Sequence, residues 1–390
     1  MNMLNDIETS RGRIETAFHE EEKSGKAATT RNDVPFNYER ISLEWWTMIL
    51  CKDHSGARVV SYRAEAADNL NRGHVRIWLE YNDAGKAAGL PGSVFCKDSQ
   101  KLELRAFNAL AGLVQGEELF YNRIRPLIDL ETPKCLFAKL DPRSFNSIVV
   151  MEDLIPQGST FCTMATKVTR EVIEKQLSYL ARWHGKFYGT LDKYPMLAGW
   201  RTLSDFYNRV NQIMGLDKLS NMGFLASESV IPPRLFARYA EVWPATKKVI
   251  DSHQADSQVL GHNDAHFRNW YMCADGDMRL ADWQIISRSG WGHDITFAMS
   301  TSLTVENRRA WEKDLLKFYL DKLHEAGAPA LDFDEAWNNY RRHLFFSLLC
   351  WTPIVKHSSD YEWQPITETQ EIIGRVATAI DDLDAFDSFD

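Results

Sequence analysis

The stretch VLGHNDAHFRNWYMCADGDMRLADWQIISRSGWGHD, residues 259–294, decides how this chain is read. It packs His262, Asp264, His266 and Asn269 into one short loop and sets Asp282 at the end of the strand-like MRLAD. A carboxylate and an amide five residues apart, followed by a second carboxylate after an apolar strand, are the groups that phosphoryl transfer needs. In that chemistry Asp264 accepts the acceptor's proton, while Asn269 and Asp282 hold a metal ion on the nucleotide phosphates. Taken singly, a His, Asp or Asn in a loop is a cap or a turn former. The spacing carries the inference, and it requires the rest of such an enzyme upstream.

Length and composition bound the answer. A chain of 390 residues fits two or three domains or one two-lobed enzyme, and 44% apolar content with 13 Trp suffices for packed cores. No apolar run approaches the roughly 20 residues of a membrane helix. The polar start MNMLNDIETSRGR lacks the apolar stretch of a signal peptide, so a cytoplasmic protein is expected, with no membrane partner. The six cysteines, at 51, 96, 135, 162, 273 and 350, follow no metal-ligand spacing and read as reduced, mostly buried thiols. A formal net charge of −9 without any Lys/Arg block argues against nucleic acid.

Upstream, residues 1–33 read as a helical or disordered leader, and the core begins near Val34. FNYERISLEWWTMILCKD repeats its apolar residues at helical spacing. Five strand signals follow: RVVSYRAE, HVRIWLEY, SVFCK, KCLFAKL and SIVVMEDL, each short, β-branched or aromatic, and bounded by turn formers. They predict a five-stranded antiparallel sheet, with one helical stretch, Leu102–Leu127, between the third and fourth strands. After Leu154 the pattern turns helical in five segments, beginning at Val168, Pro232, Val305, Phe333 and Glu368. The tail DDLDAFDSFD reads as a solvated end. The fold class expected is α+β.

HNDAHFRN and DWQ resemble the HxDxxxxN loop and the Asp-led metal segment of the aminoglycoside phosphotransferase and choline kinase family, closest to its ecdysteroid-kinase-like branch. Asn263 stands where that family more often has Gly. The resemblance implies a bilobal protein-kinase-like fold: a nucleotide-binding lobe over 34–153, and over 154–390 a larger helical lobe with the catalytic loop and acceptor site. It implies ATP and Mg²⁺ as cofactors. Lys97, closing SVFCK, is then the lysine that reaches the phosphates, although a lysine ending a strand is commonly a solvated edge residue. GEELFY matches the family's ExxFY, with Glu117 as the partner of that lysine; Glu118 would point about 100° away. VVMEDL resembles the segment that joins the lobes, so Met151, Glu152, Asp153 and Leu154 are expected to hold adenine, largely through backbone groups. The turn AEAADNLNRGHV should cover the phosphates, yet holds a single glycine, Gly73. Asp294 resembles a family aspartate that braces the loop, and its place before ITFAMS predicts a helix N-cap. His262 orients the loop, His184 is a packing residue, and His266 is either an exposed imidazole or part of the acceptor site.

Three functions compete. The leading one is transfer of the γ-phosphate of ATP to a hydroxyl of a small molecule. A metal-dependent hydrolase would use His262, Asp264 and His266 as an HxDxH ligand set, but gives Lys97, Glu117 and VVMEDL no role. A catalytically silent kinase fold serving as a binding module is the third; every reacting residue type is present, which counts against it. A serine hydrolase lacks its GxSxG. For the acceptor, QIISRSGWGH carries Arg288 and no carboxylate, which favours a neutral, apolar alcohol, while the net charge pulls weakly toward a cation. Trp291, Phe345, Phe346 and Trp351 are available to an acceptor site, although aromatics at helical spacing more often build core.

Overall fold

The computed structural model describes residues 3–67, 73–356 and 365–389. They form two compact units, residues 1–127 with 133–157, and residues 128–132 with 158–390.

The first unit is built on strands β1 (Val59–Ala66), β2 (His74–Tyr81), β3 (Ser93–Asp98), β4 (Cys135–Leu140) and β5 (Ser147–Glu152). They form one antiparallel sheet in the order β1-β2-β3-β5-β4. Period-two alternation puts Ile77, Leu79 and Tyr81 of β2 and Val94 and Cys96 of β3 on the buried face. Helix α2 (Leu43–Leu50) contributes the fully buried Trp45 and Trp46 to the same core. Ser42 starts α2 by accepting the Trp45 N–H. Helix α1 (Met3–Ser24) also belongs to this unit, burying Ile14 and Phe18. A short helix absent from the sequence reading, α3 (Asp83–Ala87), is capped by Asn82.

The single helix expected over Leu102–Leu127 is broken. Gly112, at φ +75°, ends α4 (Leu102–Ala111) and opens α5 (Leu113–Leu119), after which the chain widens into a π-turn to Ile124 and tightens to Leu127. Residues 68–72 of the turn expected to cover the phosphates lie outside the described residues. Gly73 at its end has φ +76°, and a Cβ there would meet the Asp98 carbonyl oxygen at 2.7 Å, so both backbone and space demand glycine.

The second unit is mostly helical: α6 (Arg170–Phe187), α7 (Leu203–Met214), α8 (Leu216–Ala226), α9 (Pro233–Phe236), α10 (Tyr239–Ala255), α11 (Gly292–Ser302), α12 (Val305–Glu325), α13 (Phe333–Leu349) and α14 (Ile366–Asp382). Helices α7 and α8 escaped the sequence reading. Their signals are nonetheless present: Thr202 and Asp205 make a reciprocal capping box, and Gly215 at φ +68° separates the two helices. Short strands complete the unit. β6 (Thr160–Phe161), β8 (Trp270–Met272) and β9 (Met278–Leu280) form one sheet, and β7 (Val259–Gly261) pairs with β10 (Ser287–Ser289).

The expectation of a solvated acidic tail is overturned. Phe386 and Phe389 pack on the core made by α13 and α14, and Ala385 is fully buried. The aspartates before them meet arginines, Asp381 and Asp384 with Arg234, and Asp382 with Arg308 and Arg309. Charge dominated the sequence signal, whereas two phenylalanines one turn apart decide the packing. All six cysteines are free thiols, with Cys51, Cys96 and Cys162 buried and the others half-buried. Among the described residues no helix is long and apolar enough to cross a membrane.

Candidate active site

In the first unit, β3 and α5 bring two of the expected residues together. Lys97 Nζ donates to Glu117 Oε1 at 2.9 Å, and both side chains are largely buried. Glu118 turns to Asn122 instead. The end of β5 is held by its side chains. Met151 Sδ accepts from the Tyr121 hydroxyl, and Glu152 accepts from the Lys134 N–H at 2.8 Å and from Gln157. Asp153 accepts from Arg76 Nε at 2.6 Å, from the Ser93 hydroxyl at 2.7 Å and from the Ile155 N–H. Leu154 is buried. The carboxylates of this segment are therefore occupied in bracing it.

In the second unit, the loop after β7 is organised around Asp294. Its carboxylate, in the first turn of α11, accepts the backbone N–H of His262 at 2.8 Å and of Asn263 at 2.6 Å, and the His184 ring at 3.0 Å. Burial pushes this carboxyl up, but the hydrogen bond and charge of His184, with His262 and His293, hold it below the usual range. Asp294 is thus a brace reaching to the loop and not the N-cap of its own helix, because its oxygens are spent on the backbone of another segment. His184, fully buried and also bonded to the Tyr319 hydroxyl, is part of that brace.

The loop turns sharply. Asn263 has φ +64°, the left-handed region that favours Gly, and its amide donates to the Gly261 and Ile285 carbonyls. His262 Nδ1 accepts the Asp264 N–H and Nε2 faces the Ala281 carbonyl at 3.0 Å, so its proton is on Nε2. This imidazole joins the strand before Asp282 to the loop before Asp264. Asn269 Nδ2 donates to the Asp264 backbone carbonyl at 2.8 Å and to Asp264 Oδ2 at 3.0 Å. The Ala281 N–H in turn bonds the Asn269 carbonyl, which puts Asp282 beside Asn269. Asp282 adopts φ +67°, anchored by the fully buried Trp283, whose ring packs edge-on against His262.

Around Asp264 lie groups from distant parts of the chain as well as from its own loop. The negative charge of Asp264 bears on the Tyr207 phenol and the Cys350 thiol; burial is the main cause of the upward shift in both, and takes the thiol to about 12. The two are 3.3 Å apart. His266 is buried, not exposed, with Nε2 3.7 Å from Asp264 Oδ1. Trp291, Phe345, Phe346 and Trp351 are all core residues. Arg288 is turned onto Asp192 at 2.6 Å and onto the Leu197 carbonyl, so its charge is compensated.

Comparison with known proteins places the segment that carries this loop. Residues 206–329 match the ecdysteroid kinase-like family. The ecdysteroid kinase-like match runs from α7 past the end of α12 and takes in Asp264, Asn269, Asp282 and Asp294; Lys97 and Glu117 lie outside it. No curated protein matches the chain. Among solved structures it resembles choline kinase LicA from Streptococcus pneumoniae, at 14% identity and TM-score 0.47, over 82% of this chain and 94% of that one. It also resembles a Plasmodium vivax ethanolamine kinase, at 12% identity and TM-score 0.46, over 95% and 94%. A third is the GDP and kanamycin complex of an APH(2")-type protein, at 10% identity and TM-score 0.45, over 87% and 97%. The fold class is α+β, with a five-stranded antiparallel sheet in the first unit and a mostly helical second unit.

Proposed function

We propose that this chain is an ATP-dependent small-molecule kinase that transfers the γ-phosphate to the hydroxyl of a neutral, largely apolar alcohol. The observation that carries the reading is the loop in which the Asn269 amide holds Asp264 while the Asn269 carbonyl is tied to the residue before Asp282. It presents one carboxylate able to accept a hydroxyl proton beside an amide and a second carboxylate.

The first unit would hold the nucleotide. Lys97, oriented by Glu117, would neutralise phosphate charge, and the segment from Met151 to Leu154 would receive the base through its backbone, its side chains being committed elsewhere. In the second unit, Asn269 donates its amide N–H to Asp264, which turns the amide oxygen away as a ligand; with an Asp282 oxygen this is a hard, all-oxygen pair suited to Mg²⁺. When bound, that ion would neutralise charge on the transferring phosphoryl group. Asp264 would take the acceptor's proton as the hydroxyl attacks, with no covalent intermediate on the protein.

The hydrolase alternative loses support at His262. Both ring nitrogens are engaged within the fold, so the HxDxH set lacks a ligand. Among the described residues no three His, Cys, Asp or Glu side chains converge to hold a metal ion. For the acceptor, the compensated Arg288 no longer argues against a cation. Support for a neutral alcohol rests on the segment QIISRSGWGH, which carries no carboxylate before Asp294 to meet a cation.

The test is ADP formation by purified protein with Mg·ATP across alcohols, sugars, amines and sterols. Turnover of a hydrophobic hydroxylated compound is expected, with little on choline or kanamycin. A kcat/KM above about 10⁴ M⁻¹s⁻¹ on either of those would overturn the acceptor class alone, since ordinary enzymes begin there. No acceptor-dependent ADP formation on any class, together with no Mg²⁺-dependent nucleotide binding, would overturn the kinase reading.

A further inference from the structure

Asp264 has two carboxylate oxygens, and the fold attends to both. Oδ2 accepts from Asn269, the partner the loop spacing leads one to expect. Oδ1 faces His266 Nε2 at 3.7 Å, longer than a hydrogen bond but within one small adjustment of it. Catalytic contacts of this length commonly tighten only once the reactants are bound.

The imidazole is held so that this nitrogen must be the donor. His266 Nδ1 accepts the Arg268 N–H at 3.2 Å, so in the neutral ring the proton resides on Nε2. Ring contacts fix the rotamer: Trp351 and Phe297 lie edge-to-face with it, at 5.5 and 5.6 Å between centroids, and Phe267 is beside it. The side chain is buried, with few ways to turn. A residue needed only to start the short helical turn at Phe267 would require Nδ1 and nothing more.

We propose that His266 is a positioning residue for Asp264, its Nε2–H fixing Oδ1 so that Oδ2 and Oδ1 are both oriented when the carboxylate accepts a proton. The inference rests on the reading of Asp264 as the proton acceptor. It assigns to one imidazole two separable tasks: Nδ1 caps the turn, and Nε2 aims the base.

Two substitutions separate those tasks. His266→Gln places an amide N–H near the position of Nε2 and gives up the cap, whereas His266→Asn keeps an acceptor near Nδ1 and gives up the donor. Because the acceptor is unidentified, the probe is Mg·ATP hydrolysis, in which water takes the acceptor's place, on the full chain, with Asp264→Asn as reference. His266→Asn is expected to lower kcat by about 10-fold to 100-fold, the scale of a misplaced catalytic group, with KM for ATP unchanged. His266→Gln is expected to keep kcat within about threefold, even if its melting temperature falls through loss of the cap. Wild-type kcat in His266→Asn, with Asp264→Asn inactive, overturns the inference and leaves the kinase reading standing. Equal loss in both variants, tracking melting temperature, assigns His266 a structural role and also overturns it. Hydrolysis in the wild type no faster than in Asp264→Asn removes the kinase reading, and this inference with it.

Discussion

The end of β5 and the loop after β7 solve opposite problems. At residues 151–154 the side chains serve the fold: Asp153 is consumed by Arg76 and Ser93, and Glu152 by the Lys134 N–H. Across residues 262–269 side chains, from this loop and from elsewhere, serve the backbone. Asp294 takes the N–H groups of His262 and Asn263, His262 takes that of Asp264, and Thr301 takes that of Phe267. A segment whose backbone is satisfied by its surroundings can point its own carboxylate at a reaction; a segment whose carboxylates are already bonded can offer only main chain to a ligand. Identical residue types thus carry different expectations according to what already holds them.

That contrast is open to direct attack. Asp264→Asn should lower turnover by about 10²-fold to 10⁴-fold, the usual worth of a positioned base, with nucleotide affinity retained. Asp153→Asn should do the reverse, leaving turnover within about threefold while costing roughly 1–3 kcal/mol in chemical denaturation, because Arg76 and Ser93 lose a charged acceptor. If Asp153→Asn proves as damaging to kcat as Asp264→Asn, the division of labour fails.

The metal test comes next in size. Nucleotide at 100 times its Kd should stabilise the protein by about 2.7 kcal/mol with Mg²⁺ and by far less in EDTA. Asp282→Ala should abolish the difference in melting temperature. Asp153→Ala should preserve it.

Acid stability probes the brace beneath the loop. Burial holds His293 down to about 4 and His343 down to about 3, and burial followed by the charge of His343 also depresses His253. The unfolded chain binds these protons near pH 6.5 and the folded chain does not, so the stability is full above about 6.5 and declines as pH falls toward about 4. Asp294, also depressed, adds a loss only below the ordinary carboxylate range. His293→Phe, packed between Phe297 and Phe346, should flatten the slope between pH 6.5 and 4 in pH-dependent melting. An unchanged slope would show that His293 does not titrate as described.

The smallest effect is expected at Asn263. Glycine accepts φ +64° without cost but removes two amide hydrogen bonds, so Asn263→Gly should change stability by less than about 1 kcal/mol and leave turnover intact. Asn263→Ala, which adds left-handed strain to the same loss, should cost about 1–2 kcal/mol more.

What the sequence made legible was local. The five strands announced themselves as short β-branched or aromatic runs bounded by turn formers, and the interval from Asp264 to Asn269 put an amide against a carboxylate within one loop. Glu117 could be chosen over Glu118 only by resemblance, and it is Glu117 that meets Lys97. What stayed hidden depends on partners far along the chain. Asp294 reads as a cap because its neighbours form a helix; the brace was expected by resemblance alone, and it depends on the approach of residues 262 and 263. Tyr207 and Cys350 come near Asp264 from 57 positions before it and 86 after it, with no pattern linking them. Helices α7 and α8 were missed although Leu203, Phe206, Tyr207 and Val210 make a clear apolar stripe on α7 and a capping box and Gly215 mark its ends.

Arg105 has a practical consequence for anyone shortening this chain. Its guanidinium is fully buried, and its carboxylate partner is Glu21, on the first helix. A version beginning after Ser24 would remove both that counter-charge and Phe18, over whose ring the guanidinium lies, and would expose the surface of the first unit that the helix covers. The leader looks dispensable in sequence, yet cutting it away to improve expression is expected to give aggregated protein.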